Sequence, residues 1–177
     1  MYPDKYALTR ADEPCYIMAG SGEVVSFREF EARSNRLAHL LRATGLQRLD
    51  HYAVLMENHP RFLECCGAGA RAGLYYTCIN SYLKADELGY ILDNSESRVL
   101  ITSRSRLPVA LEALAHCPGV ALCLVVEAQA KFHLIKTAVV PEGACFVDDR
   151  GAAYQHKIVG KHLPHRVVSS GRQGVQA

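Results

Sequence analysis

The chain has 177 residues, of which 49% are hydrophobic and 21% charged, with a formal net charge of +2. That length is one ordinary domain, able to bury roughly 70% of its unfolded surface, and a composition this near the soluble average excludes fibrous, collagenous and low-complexity classes. The longest uninterrupted apolar run, VALCLVV at 120–126, is far short of the roughly 20 residues that span a bilayer, and no apolar stretch follows a basic start, so a cytoplasmic protein without integral membrane association is expected.

The segment CYIMAGSGEVVSF, from residue 15, sets two short β-prone runs around Gly20, Ser21 and Gly22, whose permissive backbone suits a hairpin turn. Ser26 and Glu29 then form the S-x-x-E capping box, in which each side chain satisfies a backbone donor left open at a helix start. Behind it Phe27, Phe30, Leu37, Ala38, Leu40 and Leu41 share one helical face, Arg28, Glu31, Arg33 and Arg36 the other, and Gly45 offers a stop. HYAVLM (51–56) reads as a buried strand, ENHP as a turn and Pro60 as the first turn of a second helix.

Within that second helix lies ECCGAGARAG, residues 64–73, whose glycine spacing imitates a phosphate-cradling turn. A phosphate turn needs its glycines between strand and helix, where backbone N–H groups face the ligand. Here ten residues, 57–66, separate Met56 from Gly67, and they include Pro60, Phe62 and Leu63. Gly67 and Gly69 therefore fall inside the helix, Gly73 closes it, and close packing against a sheet is the expected role.

LYYTCIN (74–80) is β-prone, KADELGYILDN (84–94) is amphipathic with Leu88, Ile91 and Leu92 inward, and RVLIT (98–102) is another apolar strand. LPVALEALAHC suits a helix with Pro108 near its first turn, and VALCLVV a buried strand. Apolar strands alternating with helices imply right-handed β-α-β units. The expected fold class is α/β, a mostly parallel sheet of βα units with an N-terminal β-hairpin.

After Glu127 the periodicity fades, which divides the chain into an α/β unit over residues 1–126 and a divergent, basic, disordered tail over 127–177. Residues 1–150 carry 16 Lys/Arg against 18 Asp/Glu, whereas 151–177 carry Lys157, Lys161, Arg166 and Arg172 with no acid. Four cations without interleaved aromatic residues are a solvated tail and not a nucleic-acid surface. The seven cysteines (15, 65, 66, 78, 117, 123 and 145) lack C-x-x-C spacing and sit mostly in apolar surroundings, so reduced core thiols are expected. Cys145, His156, His162 and His165 fit no closed zinc pattern, and no metal site is expected.

The run VVSFREFEARSNRLAHLLRATGL, followed by DHYAVLMENHPRFLECCGAGARAGLYYTCINSYLKADELGYILDNSESRVLIT, resembles the N-terminal region of the AMP-forming acyl-CoA synthetases, notably the fatty-acid–CoA ligases. The resemblance spans residues 1 to about 126 and is carried by ENHPRF, RAGLYY, INSYL and ELGYIL. It implies a partial N-terminal domain of an adenylate-forming ligase. The implied reaction has two steps: a carboxylate attacks ATP to give an acyl-adenylate and pyrophosphate, and the thiol of CoA then displaces AMP.

The family holds the triphosphate with a loop of the type S-S-G-T-T-G-x-P-K-G. VDDRGAA (147–153) resembles the lead-in, and in SSGRQGVQA the residues Ser169, Ser170, Gly171 and Gly174 match loop positions. Arg172 and Gln173 stand where the threonines belong and Ala177 where the lysine belongs, so hydroxyl donors and the point charge are lost. Two readings stay open: a phosphate-loop remnant, or a flexible Ser/Gly-rich end. The adenine and ribose segments, the magnesium-holding glutamate and the C-terminal domain with its lysine are not recognisable, and no catalytic residue is assigned.

The expectation is a truncated or frame-disrupted fatty-acid–CoA ligase that is inactive alone and needs no cofactor as a fragment, the full-length family using ATP, Mg and CoA. Fatty acid, ATP and CoA would be partners only on complementation by a downstream polypeptide. The alternative is a non-catalytic interaction module that self-associates through an exposed sheet edge.

Overall fold

The computed structural model describes residues 4–126 and, as strand backbone, 132–136, 146–147 and 153–154. A short helix α1 (Asp4–Thr9) precedes a hairpin of β1 (Pro14–Ile17) and β2 (Val24–Ser26). The two strands pair antiparallel, and the turn closes through the Gly22 N–H donating to the Met18 carbonyl at 2.8 Å, with Gly22 at φ +70°. Only a residue without Cβ adopts that conformation cheaply.

Helix α2 (Phe27–Ala43) starts where the capping box places it: Ser26 Oγ accepts the Glu29 N–H at 3.2 Å, and Glu29 Oε2 accepts the Ser26 N–H at 3.0 Å. Phe30, Leu37, Ala38 and Leu41 are buried as the spacing required. The helix ends at Gly45, which turns the chain at φ +93°.

The central sheet has the strand order β4-β3-β5-β6-β7. Its first four members, β3 (His51–Leu55), β4 (Tyr75–Ile79), β5 (Ser97–Ser103) and β6 (Leu122–Val126), are mutually parallel, and β7 (Phe132–Lys136) runs antiparallel to β6. Two further strands, β8 (Phe146–Val147) and β9 (Ala153–Tyr154), pair antiparallel with each other. The strand at 132–136 joins the sheet from a stretch whose sequence shows no clear period.

Strand order follows from crossover handedness. The chain leaves β3 in one direction through α3 (Phe62–Ala72) to β4, then crosses back over β3 through α4 (Ala85–Asn94) to β5, and continues through α5 (Leu107–Leu114) to β6. Right-handed crossovers moving in opposite directions put their helices on opposite faces. Thus α2 and α3 pack together on one face and α4 and α5 on the other.

Strand alternation divides the core accordingly. Tyr52, Val54, Val99, Ile101, Leu122 and Leu124 face α2 and α3, whereas Ala53, Leu55, Leu100, Cys123 and Val125 face α4 and α5. The glycines of the second helix serve two different contacts. A Cβ on Gly69 would stand 2.5 Å from the Tyr52 hydroxyl and 2.8 Å from Tyr76 Cδ1, so this glycine lets the helix lie close on the sheet. A Cβ on Gly67 would stand 2.6 Å from Ser34 Oγ and 3.1 Å from Phe30 Cζ, so this one lets α2 approach. Gly73 closes the helix in the left-handed conformation at φ +67°.

The cysteines divide as well. Cys65, Cys117 and Cys123 are buried core thiols as expected, but Cys78 is exposed and Cys66 half-buried, because β4 is the edge strand of the sheet among the described residues.

Candidate functional site

In an open parallel sheet the connections leaving two adjacent strands in opposite directions open a crevice beyond their carboxyl ends, and ligands bind there. In this sheet those strands are β3 and β5. The segments that follow them, E-N-H-P after Met56 and S-R-S-R from Ser103, are polar where the strands are apolar.

Glu57 is the centre of this rim. Its Oε2 accepts the Ser103 hydroxyl at 2.5 Å and the Ser105 hydroxyl at 2.7 Å, and Arg106 Nε lies 3.9 Å away. Burial pushes the Glu57 carboxyl up, but the Ser103 and Ser105 hydrogen bonds and its own backbone N–H outweigh burial and hold it below the usual carboxylate range. It is therefore an anionic acceptor at neutral pH. Arg106 Nε is buried without a hydrogen-bond partner among the described residues, one donor at the rim that the fold leaves unmet.

His59 lies next along the rim. Half-burial lowers its pKa, the nearby Glu57 opposing and Arg61 assisting. Its Nδ1 accepts the Arg61 N–H at 3.1 Å, which places the remaining proton of the neutral ring on Nε2. Behind it a buried ion cluster ties four elements together. Glu64 Oε1 accepts from Arg61 Nη1 at 2.7 Å, from Arg33 Nη1 at 3.2 Å and from the Tyr16 hydroxyl at 3.2 Å, and that hydroxyl also reaches the Pro60 carbonyl at 2.7 Å. Desolvation, aided by the Glu64 charge, keeps Tyr16 protonated far above the ordinary phenol range. The cluster fixes the E-N-H-P-R turn against the hairpin and α2.

Chemically the rim offers an anionic acceptor, two hydroxyls, a neutral imidazole and an unmet guanidinium donor. The described rim segments, 57–60 and 103–106, contain no lysine. The four loop-matching residues Ser169, Ser170, Gly171 and Gly174 lie outside the described residues, as do Cys145, His156, His162 and His165. Among the described residues no group of three His, Cys, Asp or Glu could hold a metal, and no helix is long and apolar enough to cross a membrane. A cleft of about 400 Å³ at the opposite, amino end of the strands is lined by Asp50, His51, Leu92, Ser97 and Arg98, with Arg98 already paired to Asp50 at 2.9 Å.

The rim residues Glu57, His59, Ser103, Ser105 and Arg106 are not among the sequence-based candidates. Their signal is a polar tetrapeptide directly after each of two apolar strands. Using it requires knowing that β3 and β5 are neighbours, which only the strand order shows.

A parallel, doubly wound sheet with a polar rim at its switch point is the α/β architecture that takes ligands beyond the carboxyl ends of its strands. Comparison with known proteins narrows this: residues 1–157 match the family of AMP-binding enzymes, and the chain belongs to that family. Among curated relatives, a crotonobetaine/carnitine–CoA ligase of Salmonella arizonae is 32% identical over 109 residues, covering 62% of this chain and 20% of that protein. A long-chain-fatty-acid–CoA ligase of Mycobacterium tuberculosis is 35% identical over 109 residues, covering 59% and 21%. The chain thus spans about a fifth of the length of the curated relatives it matches.

Solved structures agree on the fold. The fatty acyl CoA synthetase of Mycobacterium tuberculosis superposes with a TM-score of 0.65 at 25% identity, covering 72% of this chain and 26% of that one. Coronafacic acid ligase of Pectobacterium brasiliense gives 0.66 at 18% identity over 71% and 25%. The family match continues 31 residues past 126 (157 − 126), through β7, β8 and β9.

Proposed function

We propose that this chain supplies the first α/β portion of an ATP-dependent fatty-acid–CoA ligase and that the 177-residue polypeptide does not activate an acid alone. The observation that carries the reading is the family match over residues 1–157, which falls on a doubly wound sheet with a polar carboxyl-end rim. A phosphoryl-bearing substrate needs cations and N–H donors around its charge. In 169–177 the two hydroxyls and the lysine are replaced by Arg172, Gln173 and Ala177, which supports inactivity of the isolated chain. On this reading residues 1–126 are the α/β unit and 127–177 a basic stretch of divergent sequence, from which β7 adds an antiparallel strand to the sheet.

ATP–pyrophosphate exchange tests it. The purified chain is expected to show no exchange with a long-chain fatty acid. Exchange is expected to appear when a second polypeptide carrying an S-S-G-T-T-G-x-P-K-G loop and the remaining ligase segments is added, with fatty acid preferred over crotonobetaine. Exchange by the chain alone overturns the inactive reading, and preference for crotonobetaine overturns the fatty-acid reading. A second reading, a non-catalytic interaction module, draws on the open β4 edge with its exposed Tyr75 and Tyr76. A discrete self-associated or hetero-complex in size-exclusion chromatography, without complementation, would favour it.

A further inference from the structure

Two of the cysteines, neither of them a rim residue, meet at the edge of the sheet. In the parallel register Cys78 stands opposite Val54 and Tyr76 opposite Tyr52, so the side chains of Cys78 and Tyr76 share the face on which α3 packs. Helix α3 passes close over this strand because Gly69 has no side chain, and it carries Cys66 to within 3.9 Å of Cys78, sulfur to sulfur. Cys78 is exposed and Cys66 half-buried, on an edge strand and the helix covering it.

We propose that Cys66 and Cys78 form an oxidation site, a dithiol that closes reversibly to a disulfide joining α3 to the edge strand β4. A disulfide needs its sulfurs about 2 Å apart, so closure requires the two to approach by roughly 2 Å, a movement that side-chain rotation at an exposed edge accommodates. The adjacent Cys65 is buried on the core side of the helix and cannot compete.

The oxidant is a low-molecular-weight disulfide such as oxidised glutathione. The Cys78 thiolate attacks one sulfur of that disulfide, forming a mixed disulfide and releasing one glutathione thiolate. Cys66 then loses its proton to solvent and attacks the Cys78 sulfur, forming the protein disulfide and releasing the second glutathione. Two protein thiols are oxidised and one glutathione disulfide is reduced to two thiols. The order is set by environment. Cys78 is the exposed partner and Cys66 the half-buried one, and the contact between them lowers Cys78 while that contact and burial raise Cys66. Thiolate is the attacking form, so Cys78 reacts first. Among the described residues the titratable neighbours of the pair are Cys65 on α3, Tyr76 on β4 and Tyr52 on β3.

The test is to incubate the whole chain in a glutathione redox buffer under native conditions and in urea, quench with acid, alkylate and map peptides by mass. Under native conditions Cys66 and Cys78 are expected to leave the alkylated pool together, joined in one linked peptide, and to return on reduction with dithiothreitol. In Cys66→Ser, Cys78 is expected to accumulate as a stable glutathione adduct. In Cys78→Ser, Cys66 is expected to react about tenfold more slowly than Cys78 does in the unsubstituted chain. Alkylation of both thiols after native oxidation overturns the proposal. So does linkage of either to Cys65, or a 66–78 link no more abundant in the native than in the urea-treated chain.

Discussion

The α2–α3 side of the molecule buries an ion cluster beside its apolar core, whereas the α4–α5 side buries an apolar core alone. Between α2, the start of α3 and the β1–β2 hairpin lie Arg61 and Glu64, only 6% and 1% exposed, with Arg33 and the Tyr16 hydroxyl on the same carboxylate. Farther along the same two helices Arg71 pairs with Glu31, its Nε donating at 3.1 Å, and lies over the Phe30 ring. Between α4, α5 and the sheet the core is Leu88, Leu92, Leu100, Ala110, Ala113, Cys117, Cys123 and Val125, and Thr102 is satisfied by the Leu55 carbonyl at 3.0 Å. The difference follows from what each face must join. The α4–α5 face connects successive βα units, for which non-directional apolar burial suffices. The α2–α3 face must also fix the hairpin and the rim turn, which are remote in sequence, and directional charged hydrogen bonds set that geometry.

Removing the carboxylate is the severest way to break this arrangement. Glu64→Ala removes the buried carboxylate that Arg33 and Arg61 share, leaving them Glu23 and, for Arg33, Glu29, and a loss at the lower end of about 3–5 kcal/mol is expected, read by urea unfolding of the 177-residue chain. A cost no larger than that of an exposed substitution would show that the cluster does not hold the hairpin. On the apolar face Leu88→Ala should cost about 2–4 kcal/mol through lost transfer energy and the residual cavity. That loss should be insensitive to salt, which distinguishes the two faces in the same unfolding assay.

Gly69→Ala probes the close approach of α3. The new methyl meets the Tyr52 hydroxyl, which donates to the Cys65 carbonyl at 2.5 Å and is buried. Overpacking is expected to outweigh the helix-propensity gain of about 1 kcal/mol, for a net loss of about 1–2 kcal/mol. A more stable variant in thermal unfolding would mean that the helix can lift off the sheet without cost. Ser26→Ala removes the cap of α2, and circular dichroism melting should register a loss of about 1 kcal/mol.

The smallest effect is electrostatic. The Arg71 hydrogen bond, opposed by burial and helped by Asn35, holds the Glu31 carboxyl below its ordinary range near 4.5. A carboxyl lowered in the folded state contributes stability above its unfolded pKa and loses it as pH falls through the folded value. Acid titration of unfolding should therefore show a slope below about pH 4.5 that is shallower in Glu31→Gln, with a difference under about 1 kcal/mol for this partly exposed pair. Identical profiles would remove Glu31 from the account.

Much of the α/β unit was legible residue by residue. Ser26 and Glu29 marked the start of α2, the spacing of Phe30, Leu37 and Leu41 marked its buried face, and Gly67 and Gly69 were placed inside a helix because they come too late after Met56. Arg33 and Glu31 fall on the face of α2 opposite its apolar one, and period alone cannot say that a second helix lies beside them; in the structure they pair across to Glu64 and Arg71. The rim was missed for a related reason. E-N-H-P and S-R-S-R are 46 residues apart, as Glu57 and Ser103 are, and meet only because β5 lands beside β3.

By itself the sequence determined the succession of elements from β1 to β6 and the family, though not α1 or β7, because capping, periodicity and turn chemistry are local and survive without knowledge of neighbours. Tertiary structure alone decided the strand order, the carboxyl-end rim, the Glu64 cluster and the meeting of Cys66 with Cys78. Each of those depends on which right-handed crossover carries a strand to which side of β3, a choice made by packing between segments far apart in the chain.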